Sequence, residues 1–146
     1  NSSMRLTREG DYAVRVVVDL AGRSPGAMVR TEELTRTTQV SKAYLAKIIQ
    51  LLSRAGLVQT QQGPRGGVRL RRDPAAITLR EMVEAVEGPI VLNRCLIRPG
   101  ECVRDSFCTV HPVWGRIQAV LMRELEAVSA RDLAQGGGMR EEKATA

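Results

Sequence analysis

Apolar residues recur along most of this chain with a helical period, interrupted by one short alternating stretch. Tyr12, Ala13, Val14, Val16, Val17, Val18, Leu20 and Ala21 cover most faces of a first helix, which predicts burial on several sides. Thr7 is placed to cap it, Glu9 lies in its first turn, and Pro25-Gly26 ends the segment. Thr31 starts, and can cap, a second and shorter helix, with a turn near 37–40. Ser41 caps a third helix over 42–55, where Leu45, Ile48, Ile49 and Leu52 share a face and Gly56 fits the C-terminal stop.

Residues 57–62 and 68–71 read as two strands, the second alternating Val68 and Leu70 with Arg69 and Arg71. Gly63, Pro64, Arg65, Gly66 and Gly67 make the tight turn between them. Asp73-Pro74 ends the hairpin, Thr78 caps a helix over 79–86, and Gly88-Pro89 stops it. No period is visible over 90–110. Val113, Trp114, Ile117, Val120, Leu121, Leu125 and Val128 then form a stripe about five turns long. Few elements remain to cover that stripe, so it predicts pairing with a second copy of the chain. The expected fold is mostly α with a small β-hairpin wing. A winged helix-turn-helix occupies 4–88, a cysteine-bearing loop 89–110, a dimerisation helix 111–135 and a disordered tail 136–146.

Composition narrows the class. At 146 residues and 43% hydrophobic, the chain can bury one small core, and 3% aromatics leave Val, Leu, Ile and Ala to build it. No apolar run reaches membrane-spanning length and no signal-peptide pattern is present, so a cytoplasmic location is expected. Asn1-Ser2-Ser3, ahead of Met4, are set aside from fold reasoning. Net charge is +6, unevenly spread: residues 1–73 hold 13 Lys/Arg against 6 Asp/Glu, and residues 74–146 hold 9 against 10. A basic first half fits a polyanion-binding module.

Helix, short helix, turn, helix and basic hairpin, in that order, make a winged helix-turn-helix. A helix fits the DNA major groove, where base edges display distinct donors and acceptors. Ser41, Lys42, Ala43 and Lys47 are the candidates on the recognition helix, and Tyr44 is placed either to contact a phosphate or to pack. Gly63, Gly66 and Gly67 allow close backbone approach at the hairpin tip, leaving Arg65 to enter a minor groove with Arg69, Arg71 and Arg72 behind it.

Cys95, Cys102 and Cys108 are separated by six and five residues, and His111 follows after two more. This is not the paired spacing of a zinc ribbon. An odd number of clustered thiols also argues against a disulfide framework. Three thiolates supply three corners of an iron–sulfur cluster, and Arg94, Arg98 and Arg104 would offset their charge. Zinc held by three cysteines and His111 is one alternative. A metal-free thiol sensor is another.

Met4-Arg5-Leu6-Thr7 with Gly10, Tyr12 and Ala13, the wing Gln62-Gly63-Pro64-Arg65-Gly66-Gly67, and the three cysteines together resemble the family of the iron–sulfur regulators IscR, NsrR and RirA, from Met4 to about Leu133. The resemblance implies a homodimer on double-stranded DNA, with crossing C-terminal helices and a 4Fe–4S or 2Fe–2S cluster whose state alters DNA affinity. It also implies a fourth ligand: His111 by likeness to IscR, or Asp11 of the other subunit by likeness to NsrR. Asp11 with 4Fe–4S is the favoured pair, since IscR-like proteins usually carry another residue there; Glu9 is a third candidate. Two departures stand out. The first cysteine spacing is one residue longer than in IscR, and Ala46 replaces a glutamate that tunes IscR site choice, so that switching rule does not carry over. The expected function is a repressor sensing redox, nitric oxide or cluster status; the alternative is a cluster-free regulator sensing thiol oxidation, a metabolite or a protein partner. No paired carboxylates, nucleophile–base pair or phosphate loop appears, and no enzyme is expected.

Overall fold

The structure, a computed structural model, describes residues 7–91 and 111–136. The three cysteines, the Met4–Leu6 part of the opening motif and nearly all of the tail lie outside the described residues.

Helix α1 (Arg8–Ala21) starts where the Thr7 hydroxyl accepts a hydrogen bond from the Gly10 N–H, and ends at Gly22. Its Ala13, Val16 and Val17 are fully buried, with α2, α3, α4 and α6 packed around it. Helix α2 (Thr31–Thr38) begins one residue earlier in its capping than expected: Arg30, with extended backbone, holds the N-cap place, and Thr31 is the first helical residue. The Arg30 carbonyl accepts from the Glu33 and Leu34 N–H groups, and no side chain caps this end. Gln39 takes a left-handed conformation (φ 63°) and turns the chain into α3 (Lys42–Arg54), which Ser41 caps as expected.

Strands β1 (Val58–Gln61) and β2 (Gly67–Leu70) pair antiparallel, with Val58 opposite Leu70 and Gln61 opposite Gly67. On its other side β2 pairs with Val29: the Val29 and Val68 N–H groups each donate to the other's carbonyl at 2.8 Å. A 3-10 turn (Pro74–Ala76) leads to α4 (Leu79–Glu87), whose Thr78 and Glu81 form a reciprocal cap.

The continuous helix expected over 111–135 is two helices, α5 (His111–Glu126) and α6 (Ala130–Ala134). Two main-chain bonds cause the break. Leu79 N–H donates to the Val128 carbonyl, and Ala130 N–H donates to the Ile77 carbonyl, both at 2.8 Å. Ser129 then caps α6, and Ala130 is driven into the core. Val128 therefore leaves the apolar stripe. Val113, Ile117 and Val120 remain on α5, one above the other at helical spacing and 39%, 45% and 48% exposed.

Candidate nucleic-acid interface

Helix α3 divides cleanly. Leu45, Ile48, Ile49 and Leu52 enter the core, and Lys42, Ala43, Ala46, Lys47 and Gln50 face outward. Its first turn, like that of α5, carries no acidic residue, whereas those of α1, α2, α4 and α6 do. The positive end of the helix dipole is therefore left unneutralised beside Lys42, a setting that favours a phosphate. Ser41 Oγ accepts from the Tyr44 N–H at 3.4 Å, so the hydroxyl serves first as the cap.

Two side chains of α3 are held from α1. Tyr44 meets Tyr12 edge to face, with ring centroids 5.3 Å apart at 77°, so its ring packs. Lys47 Nζ lies 3.7 Å from Glu9 Oε2. The outward face also contains Gln50, which the sequence reading passed over although it lies three residues beyond Lys47 on the same side.

The wing tip is tightly built. The Gly66 N–H donates to the Gly63 carbonyl at 2.9 Å, and a Cβ on Gly66 would fall 2.1 Å from the Gln61 carbonyl oxygen. A Cβ on Gly67 (φ 148°) would fall 2.3 Å from the Val29 carbonyl oxygen. Gly66 is buried in consequence, while Arg65 beside it is exposed. Arg69 Nε donates to its cross-strand partner Gln59 at 3.4 Å. Arg72, expected behind the tip, is instead engaged internally: it donates to Glu81 at 2.6 Å and to the Ala76 carbonyl at 2.6 Å. Arg30, missed entirely, donates from Nη1 to the Pro64 carbonyl at 2.7 Å. No local signal marks it, because 34 residues separate the partners.

Of the fourth-ligand candidates, Asp11 sits in the first turn of α1. Its Oδ2 is 2.9 Å from Arg15 Nη2, and both side chains are 47% exposed. Arg15 Nη1 also donates to the Thr38 carbonyl at 3.3 Å, and its guanidinium lies 5.5 Å from the Tyr12 ring centroid. His111 opens α5.

Electrostatics elsewhere are structural. Arg23 joins Asp19 at 2.7 Å and Glu33 at 2.5 Å, tying α1 to α2, and its hydrogen bond holds the Glu33 carboxyl below the usual range. Burial pushes the Glu81 carboxyl up, but hydrogen bonds from Arg72 and the Thr78 N–H outweigh it and leave Glu81 lowered.

Comparison with known proteins agrees with this arrangement. Residues 6–136 match the Rrf2 family, described as "Iron-dependent Transcriptional regulator". The chain is similar to the HTH-type transcriptional regulator NsrR of Bacillus subtilis (31% identity, 90% of this chain, 91% of the relative). It is also similar to the HTH-type transcriptional regulator IscR of Xenorhabdus nematophila (30% identity, 90% and 80%). Among solved structures it resembles CymR, the global cysteine regulator of B. subtilis, with TM-score 0.74 and 27% identity over 90% of this chain and 96% of that one. Among the described residues no helix is long and apolar enough to cross a membrane. The chain therefore belongs to the Rrf2 family: it is a winged-helix, DNA-binding transcription regulator and not an enzyme.

Proposed function

We propose that this regulator binds its operator as a homodimer and represses according to the state of an iron–sulfur cluster. Cys95, Cys102 and Cys108 hold the cluster with Asp11 of the second subunit, 4Fe–4S being favoured over 2Fe–2S and His111 being the alternative ligand. Ser41, Lys42, Ala43 and Lys47 face the major groove, and Arg65 and Arg69 the neighbouring minor groove, while the buried Gly66 shapes the tip that presents them. Phosphate neutralisation supplies much of the affinity and makes it salt-dependent.

The observation that carries the sensing part is the place of Asp11. It is an accessible oxygen donor on the same helix whose Glu9, Tyr12 and Arg15 touch α3 and the turn before it. Three thiolates supply three of the ligands such a cluster takes, and the likeness to NsrR points to a carboxylate for the fourth. When bound, the cluster supplies a group that oxidants, nitric oxide or iron shortage alter. The chain's own residues carry the consequence. A carboxylate drawn away from Arg15 leaves that guanidinium with the Thr38 carbonyl and the Tyr12 ring, so the turn and Tyr44 feel the change. The exposed Val113, Ile117 and Val120 support the dimer, since a second α5 would cover them.

The likeness to a cysteine regulator favours one other reading, a cluster-free regulator that senses thiol state, a metabolite or a partner protein. Anaerobic purification separates the two. A visible absorbance band with matching iron and sulfide content is expected. A colourless protein with background iron and sulfide after reconstitution would leave the cluster-free reading.

A further inference from the structure

We propose that Arg30 is a positioning residue for the wing: by holding the Pro64 carbonyl it fixes the direction in which Arg65 leaves the tip. The inference rests on the reading that Arg65 contacts DNA, and three observations converge on it. The 2.7 Å hydrogen bond from Arg30 Nη1 reaches the residue immediately before Arg65. Its base is rigid, because Val29 is paired to Val68 by two 2.8 Å main-chain bonds and the Arg30 carbonyl anchors the start of α2. The tip itself has little slack, with Gly66 bonded to Gly63 and pressed against the Gln61 carbonyl. Pro64, lacking an N–H, offers only its carbonyl to such a clamp. Glu32 Oε1, 3.6 Å from Arg30 Nε, steadies the other edge of the guanidinium.

Arg30 thus links the beginning of the helix-turn-helix to the end of the wing, so the spacing between the two reading elements depends on it. Because Arg30 is exposed, its bond adds little to global stability. Its worth lies in narrowing the orientations of Arg65 before binding, which lowers the ordering cost of the complex.

The test uses the full chain and a duplex selected by the parent protein from a random-sequence pool. Affinities are compared for the parent, Arg30→Ala, Arg30→Lys, Arg65→Ala and the double variant Arg30→Ala/Arg65→Ala. Arg30→Ala should bind about three- to tenfold more weakly and flatten the preference at the flanking positions where Arg65→Ala flattens it. Its thermal midpoint should stay within about 2 °C of the parent. Lysine, which keeps a donor, should restore part of the loss. In the Arg65→Ala background, removing Arg30 should change neither affinity nor the salt slope. A further loss there, with a shallower slope, would show a direct phosphate contact and overturn the proposal. An unchanged Arg30→Ala beside a weakened Arg65→Ala overturns the clamp alone, whereas an unchanged Arg65→Ala removes the wing reading beneath it.

Discussion

Arg15 sets its guanidinium 2.9 Å from the Asp11 carboxylate, one helical turn away, and reaches with its other nitrogen to the Thr38 carbonyl. One side chain therefore spans from the first turn of α1 to the residue three places before the N-cap of α3. The ion pair is half exposed and contributes no more than about 1 kcal/mol to stability. Arg15→Ala, which also loses the Thr38 hydrogen bond and the Tyr12 ring contact, should cost about 1–2 kcal/mol in denaturant titrations. DNA affinity, measured by fluorescence anisotropy, should fall further than that loss explains. A variant equally stable and equally tight in binding would remove Arg15 from the coupling.

Tyr44 offers a separation of packing from contact. Its ring is set edge to face on Tyr12. Tyr44→Ala should cost about 1–3 kcal/mol of stability, whereas Tyr44→Phe keeps the ring and should match the parent in both stability and DNA affinity. A stable Tyr44→Phe that binds DNA poorly would assign the hydroxyl to a phosphate instead.

The wing glycines rank by their surroundings. At Gly63 (φ 99°) a Cβ meets nothing within 4 Å, so alanine pays only for the backbone conformation, about 1–2 kcal/mol. At Gly66 a Cβ collides with main chain at 2.1 Å and the turn must open. Gly66→Ala should therefore lose more stability than Gly63→Ala and should weaken DNA binding more. The reverse order in matched denaturation curves would contradict the tip geometry.

Acid should destabilise the fold through paired carboxylates. Glu33, Glu81 and Asp132 all have lowered pKa values in the folded chain. The unfolded chain then binds more protons below the ordinary carboxylate range, about pH 4.3 for glutamate. Their stabilisation is complete above that range and is lost as pH falls through the folded values. Glu81→Gln should lower stability near neutrality and flatten the acid limb, as read by denaturant midpoints across pH. An identical acid slope in the variant would mean that Arg72 and Thr78 do not hold that carboxylate as described.

Local signals explain what could be read in advance. Thr7, Ser41 and Thr78 cap the helices they precede, and the glycines mark the hairpin turn, Gly66 and Gly67 because a Cβ would strike main chain and Gly63 through its positive φ. What escaped is non-local. Val29 pairs with Val68 across 39 positions, and nothing near Arg30 announces the Pro64 carbonyl. The break after Glu126 did have a local mark, the Ser129–Asp132 cap, but the apolar period running through Val128 masked it. The outward face of α3 followed from its period. Which of its side chains α1 restrains did not, because Glu9 and Tyr12 approach from another element.

The most direct test of the account is DNA affinity measured with and without the cluster, at matched salt, in the parent and in Asp11→Ala. The parent should show a difference of about 5- to 150-fold between the two states. In Asp11→Ala, which lacks the proposed fourth ligand and should hold the cluster less tightly, DNA affinity should be alike before and after cluster reconstitution. An undiminished difference in that variant would contradict a sensing route through α1.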